Sequence, residues 1–304
     1  MVDMPPNFVS GFQLWQWRNA AIKSAIATDV SPAEVDWLLQ EIAGLDQLAL
    51  RLESFKDWSR ISLKLPLDDL EHLWLRRLND RLPVQYIAGV TPWRRFQIAV
   101  SSAVLIPRPE TESLIDLAYS AVMKRNPCLQ QGDWADLGTG SGAIALGLAD
   151  VFKTATIHAV DCSFDALAIA QKNAQNLSLA DRIRFYQGSW WEPLQSLKGN
   201  ISGMVSNPPY IPTSTVLTLQ PEVVNHEPHL ALDGGTDGLN CIRHLIDISA
   251  TYLRPGGVWL VEMMAGQADA VREMLQNQGS YCDIEIHPDL AGIERFAVAY
   301  KKEL

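Results

Sequence analysis

Apolar residues recur with helical spacing through the first quarter of the chain, and then the period changes. Val35, Leu38, Leu39, Ile42 and Leu45 fall at i, i+3, i+4, i+7 and i+10, one stripe of a helix. Ser31 stands at the capping position, Pro32 at the first helical position, and Glu34 completes a capping box. A second stripe runs through Leu67, Leu70, Trp74 and Leu78. Nothing from Phe12 to Leu82 has strand character, so residues 1–82 read as a small helical bundle with no titratable cluster of its own. Residues 83–112 show short β-like runs broken by Gly and Pro, the pattern of a β-hairpin connector.

Residues 113–304 form the remaining domain, in which, from about Trp134 onward, β-rich runs alternate with helix-length stretches: WADLG, TIHAVD, IRFYQG, GMVSN, GVWLVEM, CDIEIH and RFAVAYK. This alternation implies βαβ units and a parallel sheet covered on both faces. No helical stretch separates the last two runs, so they can form a hairpin with the final strand antiparallel. The predicted fold is α/β, a doubly wound, mostly parallel seven-stranded Rossmann-like sheet with a small N-terminal helical bundle.

The stretch ADLGTGSGAIALGLA is a strand, a glycine turn and a helix. Gly138, Gly140 and Gly142 permit a tight turn and close approach of a ligand to the backbone. The following helix points its first N–H groups into the same space. Asp161 ends the next strand, where an acid can accept from ribose hydroxyls. A nucleoside-containing cofactor follows, but the loop also satisfies the dinucleotide fingerprint through Gly138, Gly140 and Ala143. An oxidoreductase therefore competes with a group transferase.

The corner Ser206-Asn207-Pro208-Pro209-Tyr210 bears on that choice. Two prolines cannot continue a strand. They stiffen a turn at the carboxyl end of ISGMV, where ligands of a doubly wound sheet bind. The side-chain carbonyl of Asn207 and a backbone carbonyl of Asn207 or Pro208 offer two acceptors, and Tyr210 an aromatic face. Two acceptors side by side suit a planar NH2 group. Its nitrogen is a poor nucleophile until both N–H groups are held and its lone pair is aimed at an electrophile. The sulfonium methyl of S-adenosylmethionine is the matching electrophile, and hydride transfer has no use for the corner.

Composition narrows the partners. The 304 residues are 47% hydrophobic and 20% charged, with a formal net charge of −10. The longest basic runs are pairs, Arg76-Arg77, Arg94-Arg95 and Lys301-Lys302, which lowers the case for direct nucleic-acid binding. Cys128, Cys162, Cys241 and Cys282 form no C-x-x-C, so neither a disulfide framework nor a metal cluster is expected. No His spacing suits a metal. No apolar run approaches the roughly 18 residues of a membrane span. The opening MVDMPPNF has no signal-peptide pattern, and a cytoplasmic location is expected.

PVQYIAG (83–89), LIPRPETE (105–112), DLGTGSGAIAL (136–146), SNPPYIP (206–212) and HEPHLALDGGTDGL (226–239) together resemble the HemK/PrmC family of release factor glutamine N5-methyltransferases. The resemblance runs from about residue 70 to the end. It implies methyl transfer from S-adenosylmethionine to the amide N5 of the glutamine in the Gly-Gly-Gln motif of peptide chain release factors. By similarity, Gly138, Thr139, Gly140, Ser141 and Gly142 cradle the methionine end, Asp161 takes the ribose, and Trp190 lies beside the adenine with Trp191 the weaker candidate. Asn207, Pro208 and Tyr210 are the implied catalytic residues. With Pro209 they hold the substrate glutamine, and Asn207 also borders the cofactor. LIPRPETE is the implied lid, bringing Arg108 and Glu110 near substrate; the alternative is a stiffened connector whose acids open the next helix. The helical bundle is implied to dock the release factor, and a monomer is expected.

His226 and Glu227 resemble an acid–base pair, yet a methylated amide needs no strong base to lose its proton, and a loop-ordering role fits better. Ile293, in DLAGIERF, replaces a residue usually polar or basic in the family. Two rivals stand beside this reading. An N6-adenine nucleic-acid methyltransferase shares the N-P-P-Y corner, but neither a basic groove nor a target-recognition region is visible. A non-catalytic S-adenosylmethionine-binding module would tolerate loss of Asn207, which is present.

Overall fold

The computed structural model describes residues 7–303. MVDMPP, the start of the segment read as lacking a leader, lies outside the described residues. The chain divides into two compact units. The first runs to Val90 and includes Gln220–His226; the second comprises Thr91–Leu219 and the chain from Glu227 onward.

The first unit is mainly helical: Gly11–Ala27, Ala33–Ala43, Gln47–Leu52, Leu67–Asn79 and Val84–Ala88. Val35, Leu38, Leu39 and Ile42 are buried as their spacing requires, with Leu70, Trp74 and Leu78 from the second stripe. Three local expectations fail, the first at Val84–Ala88, which lies in the stretch read as short β-like runs but is helical. Strand β1 (Asn7–Val9) pairs antiparallel with β2 (Ile61–Leu63), so the region is not wholly helical. Three-residue strands are too short to show a period of two. Ser31 does not cap its helix, whose N-cap is Pro32 with no side-chain bond, and the carboxylate of Glu34 that would complete the box is held by the guanidinium of Arg77 at 2.6 and 2.9 Å. The capping box lies instead at Ser10 and Gln13.

Arg77 is buried and also donates to Glu222 at 2.8 Å, so one guanidinium ties residues 34, 77 and 222 together. Arg18 does the same for Asp36 and Glu53 at 2.6 and 3.2 Å.

The second unit begins with the hairpin β3 (Val90–Trp93) and β4 (Phe96–Ala99), whose first residue closes the first unit. Its body is the sheet of β5 (Asp133–Leu137), β6 (Thr156–Asp161), β7 (Ile183–Gln187), β8 (Ile201–Ser206), β9 (Leu253–Glu262), β10 (Tyr281–Pro288) and β11 (Glu294–Lys301). Spatial order is β10-β11-β9-β8-β5-β6-β7. The strands from β5 to β9 are mutually parallel, and β11 is antiparallel to both of its neighbours. The seven runs read from the sequence are these seven strands. After β7 the chain crosses back over β5 to enter β8, so the order reverses between β5 and β8. Ligands of open α/β sheets bind at such a switch point.

Removing Arg77 would strand two carboxylates in a poorly hydrated setting. Arg77→Ala is expected to destabilise the first unit by about 3 kcal/mol; urea unfolding monitored by tryptophan fluorescence checks this, and a loss below about 1 kcal/mol would mean the pair is solvated.

Candidate active site

Four strand ends meet at the switch point. Leu137 of β5 pairs with Val160 of β6, and the hydroxyl of Ser206 at the end of β8 donates to the Leu137 carbonyl at 2.6 Å. The glycine loop, Asp161 and the SNPPY corner therefore emerge side by side. Val261 of β9 pairs with Ser206, which brings Glu262 level with Asn207.

Gly138, Gly140 and Gly142 all have positive φ, at 77°, 53° and 84°, which side-chain-bearing residues rarely adopt. A Cβ at Gly140 would meet nothing, whereas one at Gly142 would lie 3.0 Å from the Cβ of Ala170. The loop is braced by two acids. Asp161 accepts from the Gly140 N–H at 2.8 Å and from the Ser163 N–H at 2.9 Å. Asp136, fully buried, accepts through Oδ2 from the Thr139 hydroxyl at 2.6 Å and the Ala145 N–H at 2.9 Å. Its Oδ1 is buried without a partner among the described residues. Burial pushes the Asp136 carboxyl up to about 7, against the lowering effect of those two bonds. Thr139 and Ser141 are buried, with the Thr139 hydroxyl spent on Asp136 and the Ser141 carbonyl accepting from Asn173 Nδ2 at 2.8 Å.

Adjacent tryptophans part company here. Trp190 is half-buried, in a left-handed conformation at φ 50°, with its ring 3.6 Å from where a Cβ of Gly138 would stand. Trp191 is core, stacked on Tyr252 at 4.3 Å with its indole N–H on the hydroxyl of Ser249 at 3.0 Å. Only Trp190 faces the glycine loop.

At the corner, Asn207 donates through Nδ2 to the hydroxyl oxygen of Thr111 at 3.1 Å. Thr111 in turn donates to Glu262 Oε2 at 2.7 Å, and the Tyr210 hydroxyl donates to Glu262 Oε1 at 3.0 Å. Glu262 is 2% exposed. Burial raises its carboxyl to about 6 even though both donors favour the charge, and burial likewise drives the Tyr210 phenol well above its usual value. Thr111 and Glu262 escaped the sequence reading. A visible signal was an acid inside the apolar run GVWLVEM, since a buried carboxylate demands a partner.

The corner is backed by DGGTDGL. Ile211 donates to the Leu232 carbonyl and accepts from the Gly234 N–H. A Cβ at Gly234 would meet the Pro209 carbonyl oxygen at 2.8 Å, and one at Gly238 the Tyr210 carbonyl oxygen at 2.3 Å. Gln267, also missed by the sequence reading, donates to that Tyr210 carbonyl at 3.1 Å.

Arg108 forms an ion pair with buried Glu227 at 2.7 Å. Its carbonyl accepts from the Trp93 indole at 3.1 Å, which pins the PRPETE segment to the hairpin. Glu110 is exposed and starts a short 3-10 turn. Glu227 is thus a partner for Arg108, and the His226 ring meets the Asp80 carbonyl oxygen at 2.6 Å. Ile293 is partly exposed, and its turn is closed by main chain and the Asp289 carboxylate, so its side chain is not part of that closure. Among the described residues, no three His, Cys, Asp or Glu cluster as metal ligands, and no helix is long and apolar enough to cross a membrane.

A methyltransferase small domain model matches residues 112–236. The chain is 53% identical to the release factor glutamine methyltransferase of Synechocystis sp., over 97% of this chain and 99% of that one. Identity to the proteins of the same name from Thermosynechococcus vestitus and Gloeobacter violaceus is 47% and 40%, over 94% and 93% of this chain and 96% of each of theirs. In structure it is similar to the hMettl16 catalytic domain solved with an MAT2A 3'UTR hairpin, at a TM-score of 0.56 and 16% identity, over 88% of this chain and 89% of that one, a likeness of fold alone.

Gly238→Ala is expected to cost about 2 kcal/mol or more, because the new Cβ adds a clash to the left-handed strain. A thermal melt checks it; an unchanged midpoint would show that DGGTDGL does not hold the corner.

Proposed function

The chain belongs to the release factor glutamine methyltransferases, and from that membership we propose that it methylates the amide N5 of the glutamine in the Gly-Gly-Gln motif of peptide chain release factors. The observation that carries this reading is the orientation of Asn207. Its Nδ2 is spent on Thr111, so Oδ1 is the face left to accept an N–H. A corner backbone carbonyl accepts the second N–H of a planar amide, and the ring of Tyr210 supports the amide plane. With both N–H groups held, the nitrogen can pyramidalise, and orientation with charge stabilisation supplies most of the rate. Tyr210 stays a neutral donor at working pH, its hydroxyl held by Glu262. Glu227, held by Arg108, is not needed as a base. The proton leaves an acidic protonated amide for water.

We take S-adenosylmethionine as the donor, which when bound supplies an electrophilic sulfonium methyl. The residues present fit it. The loop from Gly138 to Gly142 is open at Gly140, the buried Oδ1 of Asp136 has no donor among the described residues, and Trp190 offers a half-buried ring beside Gly138. Gly138, Thr139, Gly140, Ser141 and Gly142 would hold the methionine end and Trp190 the adenine. Asp161 Oδ2 keeps a second lone pair for ribose hydroxyls while bracing the loop, whereas Oδ1 accepts from the Ser163 N–H and, weakly, from the Cys162 thiol. In this reading Arg108 and Glu110 border the substrate path, the first unit docks the release factor, and the enzyme works in the cytoplasm.

The direct test incubates the protein with labelled S-adenosylmethionine and, in parallel, a release factor and adenine-containing DNA. One added methyl on the Gly-Gly-Gln peptide is expected; label in DNA alone would overturn the substrate. Asn207→Ala should lower transfer by at least about 100-fold while S-adenosylmethionine, followed by calorimetry, still binds. Asp161→Ala should weaken cofactor binding by about tenfold or more, since it removes a ribose acceptor and the brace on Gly140.

A further inference from the structure

We propose that Glu262 is a positioning residue that acts through Thr111 to hold the Asn207 amide with Oδ1 toward substrate. The inference deepens the methyl-transfer reading and rests on it. A threonine hydroxyl has one hydrogen, and here it is spent on Glu262 Oε2 at 2.7 Å. Toward Asn207, 3.1 Å away, Thr111 can then only accept, so the group facing it must be the NH2. Without that bond the amide has two orientations of the same shape, half a turn apart. The reversed one points donors at the donors of a substrate amide, and the acceptor is lost. Glu262 is itself held at both oxygens, because the Tyr210 hydroxyl occupies Oε1. At 2% exposure no bulk water is available to replace either donor.

The arrangement is fully enforced when Glu262 is ionised, because only then can neither carboxyl oxygen donate to Thr111. Once protonated it becomes a donor to Thr111, whose hydroxyl is then free to donate to Asn207 Oδ1, and the amide can turn. The groups acting on Glu262 are Thr111 and Tyr210 by hydrogen bond, Arg295 on β11, which favours its charge, and Glu110, which opposes it. Arg295 is itself bound to Asp289 at 2.7 Å, and Arg108 acts on Tyr210. Burial outweighs these and sets the carboxyl near 6, so turnover should fall on the acid side of about pH 6.

Three variants test this in the release factor assay, each first shown to be folded by its circular dichroism and its affinity for S-adenosylmethionine. Thr111→Ser keeps the hydroxyl and should stay within about threefold of wild-type kcat; Thr111→Val should lose about tenfold or more, with cofactor affinity unchanged. Glu262→Gln should lose kcat similarly and should lack the acid limb that wild type shows near pH 6. Wild-type kcat in Thr111→Val, or an acid limb that persists in Glu262→Gln, would overturn the proposal. If Glu262→Gln does not fold, the two Thr111 variants decide it. A wild-type protein that leaves the Gly-Gly-Gln peptide unmethylated would refute the functional reading instead.

Discussion

A carboxylate buried at the end of a strand must find hydrogen-bond donors or give up its charge. Glu262 finds them in Thr111, from the segment before the first helix of the second unit, and in Tyr210, from the corner after β8. Each donor is held in place by this bond, and through Thr111 the constraint passes on to Asn207. Three parts of the chain that share no local sequence relation thus share one charge. Their mutual geometry is what distinguishes a proline-stiffened turn from a device that holds an amide.

The surrounding backbone is shaped to leave that arrangement room. Gly234 and Gly238 let a second loop press against the main chain of Pro209 and Tyr210, closer than any Cβ would allow. Gln267, at the N-cap of the helix that follows β9, closes the same contact. On the cofactor side the logic is parallel: Asp136 beneath the glycine loop and Asp161 beside it fix a backbone whose positive φ values would otherwise make it one of the most adaptable parts of the unit. Rigid elements with satisfied second contacts are what hold reacting groups to a fraction of an ångström.

The first unit is built differently. Its described residues carry an apolar core and two buried arginines, each shared between two acids. One of those acids, Glu222, arrives from the short insertion Gln220–His226. Buried ion pairs of this kind contribute little net stability over apolar packing, but they penalise wrong partners heavily. Their place here is in fixing which segments meet.

The seven strands, the antiparallel last strand, the glycine loop with its acid and the proline corner were all legible in the sequence. Each depends on relations within a few residues: a hydrophobic period, a backbone angle only glycine adopts readily, a proline that cannot extend a strand. The short strands β1 and β2 were not legible, because three residues carry no usable period and their pairing spans more than fifty positions. Nor was the division of labour between Trp190 and Trp191, neighbours whose identical side chains differ only in the surface the fold lays over them. The orientation of Asn207 lay furthest from reach. It depends on Thr111, 96 residues earlier, and on a bond from Thr111 to a carboxylate 151 residues beyond it. Only tertiary structure brings these groups within 3 Å or so, because a hydrogen bond depends on where atoms lie in space and carries no trace of the chain length between them.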